Sequence, residues 1–406
     1  MTTGGPDILV QKFGGTSLAS TADLRRVAGI VRQAYNGVAD DSAKPVVVVV
    51  SARGDTTNEL IDLAAEVSAA PPGRELDQLL ATGEVASAAL LAIALVDLGI
   101  PAVSLDGRQA GIAAVGQPGH GVVTAIDTVR IRKLLADGKV VVVAGFQGVN
   151  DVGDVVTLGR GGSDTTAVAL SAALGQYHCH IYTDVDGIYS SDPRKVLSAR
   201  RLPGIGLAEA AELAFAGAKV LHHRAGGLAV ANDIELTISS SLHPGPGTVA
   251  RSRPAQIVAE GGVVAVALDA GVVKVSIAGA DLVERALIAL AEDRGPIDVF
   301  AWQRDHAVFT VRGEQIQSVR EALRVGDPEP GADVVIAENV TKISAVGRGL
   351  LGSAEYLARI LSALGSASVQ IDTVRAEQSR ISVLVPSDRG VAAAAALHSE
   401  FALDNP

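Results

Sequence analysis

Short runs of β-branched and aliphatic residues punctuate the first 250 positions, each followed by a loop and then by residues at helical spacing. Ile8-Leu9-Val10, Val46–Val50, Val140–Ala144, Val156-Thr157-Leu158 and Ile181-Tyr182 do not alternate with polar positions in the way a half-exposed strand does. Such runs predict strands buried on both faces, in a mostly parallel sheet sandwiched by helices. Between them, Leu24, Val27, Ala28 and Val31 recur at the spacing of one helix face, as do Leu60, Leu63, Ala64 and Val67. Ala167–Leu174 predicts a further, largely apolar helix. In an open sheet of this class a ligand lies outside the carboxyl ends of the strands.

The pattern changes near Ser239–Thr248. Leu242-His243-Pro244-Gly245-Pro246-Gly247-Thr248 is a turn-forming break, and residues 251–260 read as a linker. Beyond it the chain runs twice through strand, helix, strand, strand, helix. The first copy is Val272–Ile277, Asp281–Glu292, Ile297–Trp302, Ala307–Val311 and Gln315–Leu323. The second is Lys342–Val346, Ala354–Leu364, Val369–Val374, Ser382–Val385 and Gly390–His398. A repeat of roughly seventy residues in this order predicts paired α+β modules of the split βαβ kind. The expected organisation is a domain over 1–250, a linker over 251–260 and paired modules over 261–406.

Two strand ends carry glycine clusters. After Val156-Thr157-Leu158 comes Gly159-Arg160-Gly161-Gly162-Ser163-Asp164, opening directly onto a helix. After Ile8–Gln11 comes Lys12-Phe13-Gly14-Gly15-Thr16-Ser17. Strand, tight loop and helix N-terminus aim backbone N–H groups at an anion. The lysine precedes its glycines, unlike the order in a Walker loop. A cation beside bare backbone suits phosphoryl transfer, which depends on positioning and charge neutralisation.

Composition narrows the partners. A formal net charge of −11 and only 3% aromatic residues argue against a nucleic-acid partner. An acidic protein with an anionic substrate must gather cations locally, and Lys12, Arg160, Arg194 and Lys219 are the candidates. The single cysteine, Cys179, forms no intramolecular disulfide. His178 and His180 flank it, but on a strand they face away from it, and no metal site is read there. With no signal-peptide pattern and no apolar stretch judged long enough for a bilayer, the expectation is a soluble cytoplasmic protein with no membrane partner.

At this point the chain resembles the aspartokinase family of the amino acid kinase fold. The matches are K-F-G-G-T-S at Lys12–Ser17, S-A-R-G-D-T-T-N-E-L at Ser51–Leu60, G-E at Gly83-Glu84 and G-F-Q-G at Gly145–Gly148. T-L-G-R-G-G-S-D-T-T-A at Thr157–Ala167, T-D-V-D-G-I-Y at Thr183–Tyr189, D-P-R at Asp192–Arg194 and G-A-K-V-L-H at Gly217–His222 continue them. The resemblance implies transfer of the γ-phosphate of ATP, with Mg2+, to the side-chain carboxylate of L-aspartate, giving 4-phospho-L-aspartate. It implies that Lys12 neutralises the transferring phosphoryl while Gly14, Gly15 and Gly162 cradle it. Arg160 would take the aspartate α-carboxylate and Glu84 its ammonium. Ser51, Thr57 and Asp164 would orient substrate and lysine, with Ser163 beside them. Thr16, Thr183, Asp184, Tyr189, Arg194 and Lys219 would hold the nucleotide. Local readings stay open for three of these: Thr57 as a helix cap, Glu84 as a solvated helix residue and Asp184 as part of a turn with Asp186 and Gly187. An acyl-phosphate-forming kinase for another small amino acid, and a non-catalytic sensor, are the competing functions.

The C-terminal repeats resemble the ACT modules with which aspartokinases bind lysine, threonine or methionine. The family's D-x-P-G turn is replaced by Gly279-Ala280-Asp281-Leu282-Val283 and by Gly349-Leu350-Leu351-Gly352-Ser353-Ala354. The S-E-I-R-I-S stretch reads Glu377-Gln378-Ser379-Arg380-Ile381-Ser382, and His223 stands where the family has proline. The departures in the C-terminal loops imply weak or altered lysine and threonine feedback, while His223, on the kinase side, implies a local effect on its turn and not loss of activity. The resemblance also implies that Val263–Leu268 pairs with the second module. Met1 is the one methionine, so no internal methionine start supplies a separate regulatory subunit, and a homo-oligomer built through the C-terminal modules is expected.

Overall fold

Five consecutive valines, Val46–Val50, form a strand with no exposure on either face, which requires a sheet covered on both sides. The computed structural model describes residues 7–37, 44–218, 220–252, 262–292, 296–323 and 333–405. Contacts divide the chain into two units. One comprises Met1–Ile188, Arg201–Ala214 and Lys219–Ala255; the other comprises Tyr189–Arg200, Phe215–Ala218 and Gln256–Pro406.

The first unit opens with β1 (Leu9–Phe13), α1 (Thr21–Asn36), β2 (Val46–Val50), α2 (Thr56–Val67), α3 (Gly73–Asp97) and β3 (Ala102–Leu105). Then come β4 (Ile112–Val115), β5 (Val122–Ile126), α4 (Val129–Ala136), β6 (Val140–Ala144), β7 (Gln147–Val149) and β8 (Val155–Thr157). It continues with α5 (Gly162–Ala173), β9 (His178–Thr183), β10 (Gly204–Gly206), α6 (Leu207–Ala216), α7 (His223–Asn232), β11 (Glu235–Ser240) and β12 (Thr248–Arg251). The main sheet has the order β10-β12-β11-β9-β1-β2-β6-β3. From β11 to β3 it is parallel, and β12 runs antiparallel to β11. From β1 the chain steps to β2 on one side and later returns to β9 on the other. The reversal of strand order therefore lies at β1, where this architecture places its ligands. Phe13, Val46, Val48, Val50 and Val142 meet Val27, Leu91 and Leu95 of α1 and α3 in one core cluster. The helix α5 packs on β1, β2 and β9. A second sheet has the order β5-β4-β7-β8.

Two helices depart from the sequence reading. The predicted core face of α2 is not buried: Leu60 and Ala64 are half-covered, Leu63 is exposed and Val67 is 84% exposed. The helix approaches α3 at Gly83, where an added Cβ would lie 3.5 Å from Thr56 Cγ2 and 3.8 Å from Leu60 Cδ1. Only that edge is covered, so the rest of the apolar stripe faces outward. The 25-residue α3 is long and apolar enough to cross a membrane, contrary to the expectation that no stretch is. It packs instead against α1, β3 and β6 and buries Asp77 and Glu84 along its length.

The second unit holds β13 (Gly262–Asp269), β14 (Val272–Ala278), α8 (Ala280–Glu292), β15 (Asp298–Gln303), β16 (His306–Arg312) and α9 (Ile316–Leu323). It ends with β17 (Val334–Ala337), β18 (Val340–Arg348), α10 (Glu355–Ser366), β19 (Thr373–Ala376), β20 (Arg380–Pro386) and α11 (Gly390–Glu400). Each repeat supplies three strands to an antiparallel sheet, and the fourth comes from outside it. The orders are β15-β16-β14-β17 and β13-β18-β20-β19. The pairing of β13 with β18 runs from Gly262 opposite Arg348 to Asp269 opposite Lys342, where the resemblance placed it. Each sheet builds its own core, one around Val275, Phe309 and Val319 and the other around Ile343, Ile360 and Leu397. Buried ions tie the two sheets together. Asp298 of β15 receives Arg380 of β20 through two 2.8 Å bonds and also pairs with Lys342 of β18. The Phe215 ring lies 5.2 Å from the Arg380 guanidinium and 6.0 Å from the Lys342 ammonium.

Candidate active site

The strand β1 ends in Lys12 and Phe13, and at that end the chain must turn without covering the lysine. Gly14 and Gly15 do this. A Cβ at Gly15 would lie 2.7 Å from the Ala52 carbonyl oxygen, and one at Gly14 would lie 3.5 Å from Lys12 Nζ. The Gly54 N–H donates to the Gly15 carbonyl at 2.9 Å, and the Ser51 N–H to the Phe13 carbonyl at 3.1 Å. The loops after β1 and β2 are thus laced together without a side chain between them. The Phe13 and Tyr182 rings stack at 4.6 Å behind them.

Lys12 is buried, and its ammonium lies 2.5 Å from Asp164 Oδ1. Asp164 sits in the first turn of α5, where a carboxylate is favoured by the helix dipole. Its other oxygen accepts from the His222 N–H at 3.3 Å. The loop between β8 and α5 turns through two left-handed glycines, Gly159 at φ +73° and Gly161 at φ +69°, with exposed Arg160 between them. Gly162 must also stay bare, because a Cβ there would lie 2.9 Å from Leu158 Cβ and from Phe146 Cδ2. Ser163 is buried beside Gly145, whose missing Cβ would fall 2.8 Å from Ser163 Cβ.

Glu84 reaches the same loops from α3. It is 3% exposed, so it is not a solvated helix residue. Its Oε1 accepts from the Ala52 N–H at 2.9 Å, while its Oε2 is buried without a hydrogen-bond partner. Burial pushes its pKa up to about 7, against the pull of the Ala52 N–H and the Lys12 charge. A buried carboxyl with one unused oxygen beside a lysine is equipped to accept a hydrogen bond from a cation.

Lys12, Gly14, Gly15, Ser51, Glu84, Gly162, Ser163 and Asp164 are therefore gathered on the carboxyl side of the sheet. Thr16 is exposed in the turn after β1. Thr57 is half-buried at the second position of α2, and Asp55 occupies the cap position. Thr183 ends β9 and its hydroxyl donates to Asp184 Oδ1 at 2.9 Å, with Asp184 itself exposed. Tyr189 and Arg194 group with the second unit. The guanidinium of Arg194 is bound to Asp192 at 2.9 and 3.0 Å. Lys219 lies outside the described residues. His178 and His180, on one side of β9, bond Thr237 and Ser239 at 2.8 and 2.7 Å, while Cys179 is buried.

Three supporting residues went unassigned in the sequence. Asp77 is buried on α3, where it accepts from the Thr157 and Gly119 backbone and from the Thr157 hydroxyl. Its spacing of seven from Glu84, on one face of an apolar helix, was the available signal. Phe146 holds φ +67°, unusual for a residue with a side chain. Its N–H donates to the Thr166 hydroxyl oxygen at 3.2 Å. His222 packs against Gly161 so closely that a Cβ there would overlap its ring.

Such an arrangement can hold an anion on backbone N–H groups, neutralise it with one buried lysine and seat an ammonium against one buried carboxylate. The comparisons agree with that chemistry. The amino acid kinase family matches residues 7–240, and an ACT domain matches residues 343–401. The aspartokinase of Geobacillus stearothermophilus is 39% identical, over 98% of this chain and 97% of its own. That of Corynebacterium glutamicum is also 39% identical, over 98% and 96%. Escherichia coli aspartokinase III, solved with aspartate and ADP, shares the fold at a TM-score of 0.81 and 24% identity, over 97% of this chain and 99% of that one. By full-length similarity and by fold, the chain belongs to the aspartokinase family.

Proposed function

We propose that the protein transfers the γ-phosphoryl group of MgATP to the side-chain carboxylate of L-aspartate, forming 4-phospho-L-aspartate and ADP. The observation that carries this reading is buried Lys12, held by Asp164 at the carboxyl end of β1 among bare glycines, with the unused oxygen of Glu84 nearby. A carboxylate is already a nucleophile, so no base is needed. One of its oxygens forms the new bond to γ-phosphorus, the bond to the β,γ-bridging oxygen breaks, and ADP leaves with that electron pair. The obstacle is bringing two anions together, which cations and preset backbone dipoles overcome.

In this assignment Lys12 neutralises the moving phosphoryl, and Asp164 fixes the lysine. Gly14, Gly15 and Gly162 present N–H groups to the phosphate oxygens. Arg160, lifted between two left-handed glycines, takes the α-carboxylate as a two-pronged donor. Glu84 accepts from the substrate ammonium, and Ser51, Thr57 and Ser163 complete the amino acid subsite. Thr16, Thr183, Asp184, Tyr189, Arg194 and Lys219 serve the nucleotide. Mg2+ would arrive as part of the nucleotide substrate, held by its phosphate oxygens, and would offset their charge.

The catalytic domain is assigned to 1–250, the linker to 251–260 and the paired ACT modules to 261–406, in a cytoplasmic homo-oligomer. Feedback by lysine and threonine is weak or altered in this reading. The turn after β18 is occupied by its own chain: Leu350 is fully buried, and its N–H donates to the Gln378 carbonyl at 3.0 Å. The two stretches that would present free backbone to an effector are bonded to each other. ATP-dependent hydroxamate formation in the presence of hydroxylamine tests the whole proposal, across L-aspartate, its analogues and L-glutamate. Product from aspartate that persists with millimolar lysine plus threonine is the expected result. Product from another amino acid alone would overturn the substrate, and strong inhibition would overturn the feedback reading.

A further inference from the structure

We infer that the start of α7, through Arg224 in its first turn and His222 at its N-cap, is a positioning device for the loop that carries Arg160. The inference rests on the proposed function and concerns residues that touch neither substrate. The loop runs from Leu158 to Gly162, and α7 holds it at both ends. At the start, Arg224 Nη1 donates to the Leu158 carbonyl at 3.1 Å, two residues before Arg160. A Cβ at Gly159 would lie 3.8 Å from that same nitrogen. At the far end, the His222 ring fills the space beside Gly161, and the His222 N–H reaches Asp164 Oδ2 at 3.3 Å. Asp164 in turn fixes Lys12 at 2.5 Å.

Two left-handed glycines flank Arg160, and glycines impose little conformational restraint of their own. A long side chain at the apex of such a loop loses its aim unless the loop is anchored from outside. Arg224 supplies a charged donor to a loop carbonyl, and His222 supplies a rigid wall. The loop closes on itself through the Gly162 N–H to the Gly159 carbonyl at 3.0 Å, and Arg224 and His222 fix that closed loop, and with it the base of Arg160, against α7. The role predicted for Arg224 is selective: it sets the aim of Arg160 toward the amino acid and leaves the nucleotide subsite unaffected.

Steady-state kinetics on Arg224→Met, Arg224→Lys, Arg160→Lys and the double variant Arg160→Lys/Arg224→Met test this, with thermal unfolding of each. Loss of one charged hydrogen bond predicts roughly a tenfold rise in KM for aspartate in Arg224→Met, with KM for ATP and Tm little changed. Arg224→Lys recovers most of the loss, and Arg224→Met adds little in the Arg160→Lys background, since both act through one guanidinium. An unchanged KM for aspartate, additive effects in the double variant, or parallel rises in both KM values with a falling Tm would overturn the inference. A parent enzyme that turns over no aspartate would overturn the functional reading and this inference together, whereas an active parent with an indifferent Arg224→Met overturns this inference alone.

Discussion

Replacing Asp298 by alanine removes the one carboxylate that both Lys342 and Arg380 bond, two cations that are 2% and 3% exposed. Burial pushes the pKa of Asp298 up, but Lys342 and Arg380 together outweigh it and hold the pKa at about 2. The pKa of Lys342 is pushed down by burial even though Asp298 opposes it. The asymmetry has a simple origin: Asp298 feels attraction from both cations, while for Lys342 the pull of Asp298 and the smaller pull of Asp269 are opposed by repulsion from Arg380. The depressed carboxylate is the firmer indicator of the network's sign. Its fall from 3.8 to about 2 corresponds to about 2 kcal/mol of stability linked to ionisation. Because the folded pKa is the lower one, that contribution is present above about pH 4 and is lost as pH falls towards about 2. Taking their shared carboxylate from two buried cations costs more, about 3–5 kcal/mol for a broken buried network, even though Arg380 keeps its 3.5 Å contact with Glu377. The assay is chemical unfolding followed by fluorescence, because Trp302 is the only tryptophan in the chain and lies on β15 with Asp298. The signal therefore reports the second unit. Asp298→Asn should behave like Asp298→Ala, whereas Asp298→Leu/Lys342→Met/Arg380→Met should recover most of the loss, since apolar replacement of a whole buried network is often neutral. A cost below about 1 kcal/mol for Asp298→Ala, well under the range for a broken buried pair, or a triple variant as unstable as the single one, would refute the reasoning.

Glu84, with its pKa raised to about 7 by burial, must ionise to accept the substrate ammonium, so KM for aspartate should fall as pH rises through about 7. Glu84→Gln should flatten that dependence and raise KM by roughly ten- to a hundredfold, the range for a lost charged hydrogen bond. Its raised folded pKa also means that stability declines as pH rises from 4.5 to about 7, a decline that Glu84→Gln should abolish in a melting series. Gly161→Ala faces roughly 1–2 kcal/mol for the left-handed backbone and roughly 1–3 kcal/mol for overlap with His222, so Tm and kcat should both fall. Adding His222→Gly should restore the overlap share; a Gly161→Ala enzyme as stable and active as its parent would show the packing to be slack.

The strands were legible because burial on both faces leaves a purely local mark. Val46–Val50 and Val140–Ala144 could be placed without knowing their neighbours, and both are fully buried. The glycine loops were legible for a similar reason, since a turn tight enough to bare its backbone excludes most side chains. The repeat was legible as well, but not the covering of each helix. The stripe on α2 showed that an apolar face exists and not what covers it, and Val67 stayed exposed. Composition alone fits α3 equally well to a bilayer and to a core. Asp77 and His222 leave no local mark, because Asp77 acts on the backbone of a distant loop and His222 acts through its own backbone N–H on the distant Asp164 carboxylate.

Local chemistry, then, decided which segments become strands, where the chain turns on glycine and which side chains bear charge, because these depend on residues within a few positions of one another. Tertiary structure alone decided that Glu84 is buried with one oxygen unspent, that Asp77 reaches Thr157 and Gly119, and that the first module's sheet takes β17 as its fourth strand from outside its repeat. Those outcomes depend on which surfaces are desolvated together, and desolvation is a property of the packed chain that no short window of sequence contains.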